Sequence, residues 1–504
     1  MKHFVVVGFV LQCTLLLRCT SNFDNVNKMN NNAAYEQKFR KAYEYYRYPK
    51  DSLKRKALHF IINNLNDQYY YDGVMLRQYE QSILADTGVT VTALINKLDS
   101  LSRIFGHKFT KIYDADIITS SYLVRSIDEA FDSWRYPWAR KLNFEEFCEY
   151  ILPYKMGNEK PEYWRQSLQQ EFKWVPDSVK ENLFKAAASI NDHLHWFKIS
   201  VNFDYPIDMG YRMSRWVATG TCTSATRLVN YPMRALGLPV VTDFAPDWGN
   251  RSSGHEWNAL ILNNRSYPFN AVESNIGFYK ITFVGVNRMK YKPPKIFRKM
   301  FSIQDSTLSV INNGKEVIPV NLDNKRIKDV TSEYVPVSDV TLTFSDKAEP
   351  NQFAFLCIFN NKNWKPVYWG KRAGNDVIFK NMGRDIVYLP AAYKDSTLIP
   401  LGNPFILTKE GTITILKPIK NTNVIVEIEK KYPDDESNKI QVGDKYELLY
   451  WDNKEWVSIG SQVAKAKILY FKNAPLNALF WIKDQTQGEQ ERIFTYFNLK
   501  KQWW

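Results

Sequence analysis

Thiols are scarce in this chain. Five cysteines are spread over 504 residues, and two of them, Cys13 and Cys19, fall in the first twenty positions. Cys148 lies in the helical pattern around Phe144-Glu-Glu-Phe-Cys, and Cys357 lies in the core-strand pattern Phe353-Ala-Phe-Leu-Cys-Ile. These two could pair, but both read as buried thiols. Cys222 then stands alone inside a motif, which makes it a candidate nucleophile. Histidine is equally sparse, with six in all. His59 and His107 are isolated, and His193 with His195 alternate as on a strand but lack a third ligand, so no metal and no cofactor are expected. Beyond the leader, no stretch reaches the ~18 apolar residues that a membrane-spanning helix needs. No nucleic-acid-binding motif accompanies the formal charge of +14, so nucleic acid is not an expected partner.

What is present begins with a targeting segment. Lys2 and His3 precede the apolar run Phe4 to Leu17, which reads as a signal-peptide core over 1–18. Leu16-Leu-Arg-Cys19 is similar to a lipoprotein signal, which implies lipid on Cys19 and a membrane anchor. Asn22 to Asn32 is polar and reads as the end of a tether over 19–32. Length suggests three or four domains.

The richest stretch is Gly220-Thr-Cys-Thr-Ser-Ala-Thr-Arg, which continues to Gly237. Ala225, Leu228, Val229, Met233 and Leu236 recur at helical spacing, and Gly237 ends the run before the strand-like Leu238-Pro-Val-Val. Cys222 is thereby predicted at the first turn of a helix, where unpaired N–H groups and the helix dipole favour a thiolate. His255 opens the β-rich run His255-Glu-Trp-Asn-Ala-Leu-Ile-Leu, and Asn270 follows Ser266-Tyr-Pro-Phe. A cysteine nucleophile needs a base in hydrogen-bond reach and a third group to hold that base's tautomer.

Gly-x-Cys, Arg-Ala-Leu-Gly-Leu-Pro, His-x-Trp and a polar residue after Pro-Phe together resemble the core of the transglutaminase-like superfamily. The segment from Asp243 to Trp257 resembles multidomain lipoproteins of that kind in Gram-negative envelopes. The resemblance implies a papain-like fold with Cys222 as nucleophile, His255 as base and Asn270 as orienter. The family's usual residue at the third position is Asp, and Glu273 is the alternative orienter. Trp248, Arg251 and Trp257 are candidates for the substrate groove: Trp248 to line it or else cap the core, Arg251 to bind a carboxylate.

The rest of the chain reads as α+β. Residues 33–135 are helical in pattern, 136–300 form the core, and 301–334 link it to the C-terminal third. Short strands separated by turn residues there suggest a β-sandwich over 335–420 and a second sandwich or jelly roll over 421–504. The acid-free basic run Lys280 to Lys299 reads as a solvated linker, or as a patch for anionic glycan or lipid headgroups. Trp451, Trp456, Trp503 and Trp504 could form a sugar-stacking surface, although an aromatic core is the commoner outcome. The sequence therefore suggests an exported, lipid-anchored cysteine peptidase or amidase of the cell envelope, outer membrane or periplasm, acting on a peptide or protein. Hydrolysis is favoured over transfer to an amine. The alternative is a non-catalytic scaffold whose β-domains bind envelope glycan or protein.

Overall fold

The computed structural model describes residues 29–504 except 86–89, 180, 204, 274–275, 277–289, 345–351, 361, 434–437, 487–490 and 498–499. The leader, Cys19, most of the tether and the first part of the basic run lie outside these residues. The chain is α+β, with a helical N-terminal region and C-terminal sheets. No helix among the described residues is long and apolar enough to cross a membrane.

The N-terminal helices do not form a separate body. Ser52–Asn63 and Ser120–Trp134 each bury an apolar stripe. They share one core with Phe147, Cys148, Leu152 and Tyr154 from beyond the expected boundary at 135, and with Phe301. A helical pair, Val74–Leu84 and Val91–Phe105, packs instead on Phe203, Met209 and Met213, in the segment that leads to Cys222. Between these helices, strands β1 (Tyr69–Asp72) and β2 (Thr110–Tyr113) form an antiparallel ribbon. Strands β3 (Lys198–Ile199) and β4 (Thr219–Gly220) then pair in parallel just before the cysteine.

The central sheet has the order β7-β6-β5-β8-β9. Its members are β5 (Val240–Ala245), β6 (His255–Leu262), β7 (Arg265–Phe269), β8 (Phe297–Lys299) and β9 (Ile327–Asp329), all antiparallel to their neighbours. The segment expected to link domains over 301–334 thus supplies the edge strand of this sheet and two short helices. The described end of the basic run is likewise part of the core. Lys295 and Arg298 are buried, and Arg298 makes a two-pronged ion pair with Asp243 on the neighbouring strand (Nε–Oδ1 2.9 Å, Nη2–Oδ2 2.8 Å). A buried charge needs such a partner, and this one lies 55 positions away in sequence, out of sight of any local reading.

The C-terminal third holds two β units. In the first, an eight-stranded sheet is built around Phe353–Asn360, which is buried along its whole length. Alternate residues of that strand face two cores. Ala354, Leu356 and Ile358 point into the unit's own interior, while Phe355, Cys357 and Phe359 meet Leu449, Trp451 and Trp481 of the second unit. In the second unit a five-stranded and a two-stranded sheet share a core around Tyr446, Leu448, Phe471 and Phe480. The expected boundary at 421 falls inside strand Ile419–Ile428. Cys148 and Cys357 are free thiols in different cores, not a disulfide. Trp451 and Trp504 are buried, and Trp456 is stacked at 6.4 Å on Trp364 inside the inter-unit cluster, so these rings are packing rather than a sugar platform.

Candidate functional site

Cys222 opens the helix Cys222–Ala235, with Thr221 as its extended N-cap. The helix ends as the sequence expects. The Leu238 N–H bonds Met233 C=O (2.8 Å) and the Gly237 N–H bonds Arg234 C=O (3.1 Å), with Gly237 at φ 73°. This is the paired C-terminal cap for which glycine is the favoured residue. At the other end, a Cβ on Gly220 would meet the Ser224 side chain at 2.6 Å, so the turn before Cys222 has room only for glycine.

A ladder of buried polar groups fixes the helix against the sheet. Asn258 Nδ2 donates to Thr226 C=O (3.0 Å) and to Asn230 Oδ1 (2.8 Å), and Asn230 Nδ2 donates to Thr242 Oγ1 (2.8 Å). Each bond is worth only ~1 kcal/mol net, but a slip of the helix would leave several buried groups unpaired. Arg227, on the same helix, is held by Asp208 at 2.6 Å. Together these set the height of Cys222 relative to the start of β6, and its thiol lies against the backbone N–H of Glu256, the residue after His255.

His255 Nε2 faces Asn270 Oδ1 at 3.3 Å. With the proton on Nε2 donated to that oxygen, Nδ1 is the acceptor nitrogen. Asn258 pairs with Phe269 in the register of β6 and β7, so Asn270, one residue further, falls diagonal to His255 on the same face. The chain after Asn270 is restrained as well. Asn191 Oδ1 accepts the Val272 N–H (2.8 Å), and Val272 sits at φ 56°, a strained conformation for a β-branched residue. Sequence pattern does not mark Asn191 as a site residue, because its partner is 81 positions away. Glu273 is exposed and lies near enough to favour a protonated His255, but the oxygen that accepts from the ring is that of Asn270.

The resting electrostatics differ from the sequence expectation. Burial pushes the Cys222 thiol above its ordinary value, and this outweighs the N–H of Glu256 and the backbone and hydroxyl of Thr223, which pull the other way. Burial also pushes His255 below its ordinary value, against the opposing effects of Asn270, Glu273 and Glu256. Near neutral pH the resting pair is therefore thiol and imidazole rather than thiolate and imidazolium. No hydrogen bond joins Cys222 to His255 among the described residues.

The three groove candidates divide. Trp248 and Trp257 are both buried, stacked at 6.4 Å and 10° in a core with Tyr334. Trp257 remains relevant because the His255 ring lies against it at 6.0 Å. Arg251 is half-buried over the Tyr291 ring and close enough to His255 to disfavour its protonated form. The loop that carries Trp248 and Arg251 into His255 is gripped by the β units. Buried Arg492 donates to the carbonyls of Gly249 and Phe359, Tyr432 Oη accepts the Ser252 N–H (3.2 Å), and Asn360 bonds both Asp247 and the Ser253 N–H. Arg492 holds this loop from a place in the chain that no local pattern marks. Gly254 precedes His255 where a Cβ would strike the carbonyls of Ala245 and Pro246. No group of three or more His, Cys, Asp or Glu that could hold a metal ion occurs among the described residues. A scan against protein-family models gives no match, and a search of curated proteins finds no significant similarity.

Proposed function

We propose that the chain is a cysteine-dependent acyl-transfer enzyme with a papain-like, transglutaminase-like core, acting on peptide or carboxamide bonds. The observation that carries this reading is the hydrogen bond from His255 to Asn270 beside a cysteine at a helix start. Nδ1 of His255 takes the thiol proton as Cys222 Sγ attacks the carbonyl carbon. Backbone N–H groups at the helix start stabilise the oxyanion, and His255 returns the proton to the leaving amine. The resulting thioester is released by water. Because the resting pair is neutral, proton transfer accompanies attack rather than preceding it. The lipid anchor on Cys19 and the envelope location belong to this proposal, with a peptide or protein as substrate. Incubation with glutamine-containing peptides and a labelled primary amine tests the acceptor. Ammonia or cleavage products without incorporated label are expected, and incorporation of label would make the enzyme a transglutaminase.

A non-catalytic scaffold is the second reading. The raised thiol of Cys222 is the observation that favours it.

A further inference from the structure

We infer that a polar cavity of about 530 Å³ between the β1–β2 ribbon, the cysteine helix and the β8–β9 edge binds an acidic sugar, a carbohydrate carrying a carboxylate or phosphate. Its size falls within the usual range for small-molecule sites, roughly 300–1,000 Å³. Its lining includes six cationic side chains, Lys111, Lys155, Arg234, Lys299, Lys325 and Arg326, against three acidic ones, Asp67, Asp208 and Asp323. Three of the cations are neutralised: Lys155 by Asp114, Lys299 by Glu256 and Lys325 by Asp67. Asp208 is already taken by Arg227, and Asp323 accepts from Ser309 Oγ (2.5 Å).

The other three cations have no carboxylate within ion-pair distance among the described residues. Arg234 is buried, and its Nε and Nη2 both go to the carbonyl of Val240, at 3.2 and 3.1 Å. The acid that acts on it most strongly, Glu149, is itself held by the N–H groups of Phe301 and Ser302. The half-buried Arg326 donates to the carbonyls of Phe301, Asn64 and Asn66, and the acids that act on it, Asp67, Glu149 and Asp114, do so from beyond ion-pair distance. Lys111 stands at the rim over the Tyr69 ring at 3.8 Å. A buried guanidinium such as that of Arg234 is costly without a paired counter-ion, and a ligand anion supplies what the protein omits. Amide groups of Gln68, Asn158 and Asn324, with the rings of Tyr69 and Tyr113, suit the hydroxyls and apolar faces of a sugar.

The test is calorimetric titration of the full chain with glucuronate, glucose 6-phosphate and glucose. At least one of the two acids should bind, and the acid that binds better identifies the anion. Glucose should bind at least tenfold more weakly. Lys111→Met should weaken binding several-fold, as should raised salt, while Cys222→Ser should leave it unchanged because the cysteine does not line the cavity. Arg234→Lys, which keeps the charge but loses the planar fork, should also weaken it. No binding of either acid, equal binding of glucose, or affinity unaltered in both the Lys111→Met and Arg234→Lys proteins would overturn the assignment.

Discussion

Replacement of His255 by alanine is expected to slow acylation of Cys222 by roughly a hundred- to ten-thousandfold, the usual contribution of a positioned general base. The resting state makes this effect specific. With the thiol above its ordinary value near 9.0 and the imidazole below its ordinary value near 6.5, almost none of the cysteine is ionised at neutral pH. Attack then depends on a base that takes the proton in the transition state. The pH profile has a corresponding shape. The imidazole is in its base form above its own pKa, so the rate should fall only as pH drops through that depressed value, below 6.5. It should stay level through neutrality, because the thiol does not ionise until pH passes 9. A pre-formed ion pair would instead show rapid alkylation of Cys222 at acidic pH. Stopped-flow acylation in the wild type and in His255→Ala, between pH 5 and 9, distinguishes the two.

The largest stability effect is expected at Asp243. Its carboxylate is fully buried, accepts both prongs of Arg298 and also receives the Tyr334 hydroxyl. Asp243→Ala would leave Arg298 buried with only the partly exposed Glu333 as counter-charge. Breaking a buried pair in this way costs about 3–5 kcal/mol. The loss should be local, because the pair bridges β5 and β8. Hydrogen exchange at 297–299 and 327–329 should rise by about a hundredfold or more, while exchange within Phe353–Asn360 should be unchanged. Uniform exchange across the molecule would contradict this local role.

The parts of this fold that are legible in the sequence are those set by neighbours along the chain. The cysteine helix is legible because its apolar residues recur at one period and Gly237 supplies the left-handed cap. The start of β6 at His255 and the end of β7 beside Asn270 emerge from pattern in the same way. What escapes is governed by distant partners. Arg298 reads as a solvated cation because Asp243 cannot be paired with it by inspection. Trp248 reads as a groove residue because its stacking partner, Trp257, sits on another strand. Ile327–Asp329 is too short to announce a strand, yet its pairing with β8 makes it the sheet's edge. Arg492 grips Gly249 from 243 positions away. That grip also gives the β units a part in positioning the loop before His255, whereas sequence pattern suggests them only as binding domains.

The most direct test of the central claim is to mix the full chain with p-nitrophenyl acetate, a small acyl donor that needs no recognised substrate. The reaction is quenched in acid and the cysteine peptides are weighed. The account expects a hydroxylamine-labile acetyl group on the Cys222 peptide, strongly reduced in His255→Ala, with the buried Cys148 and Cys357 unmodified. Equal acetylation of Cys222 with and without His255, or none at all, would contradict a catalytic cysteine and favour a scaffold.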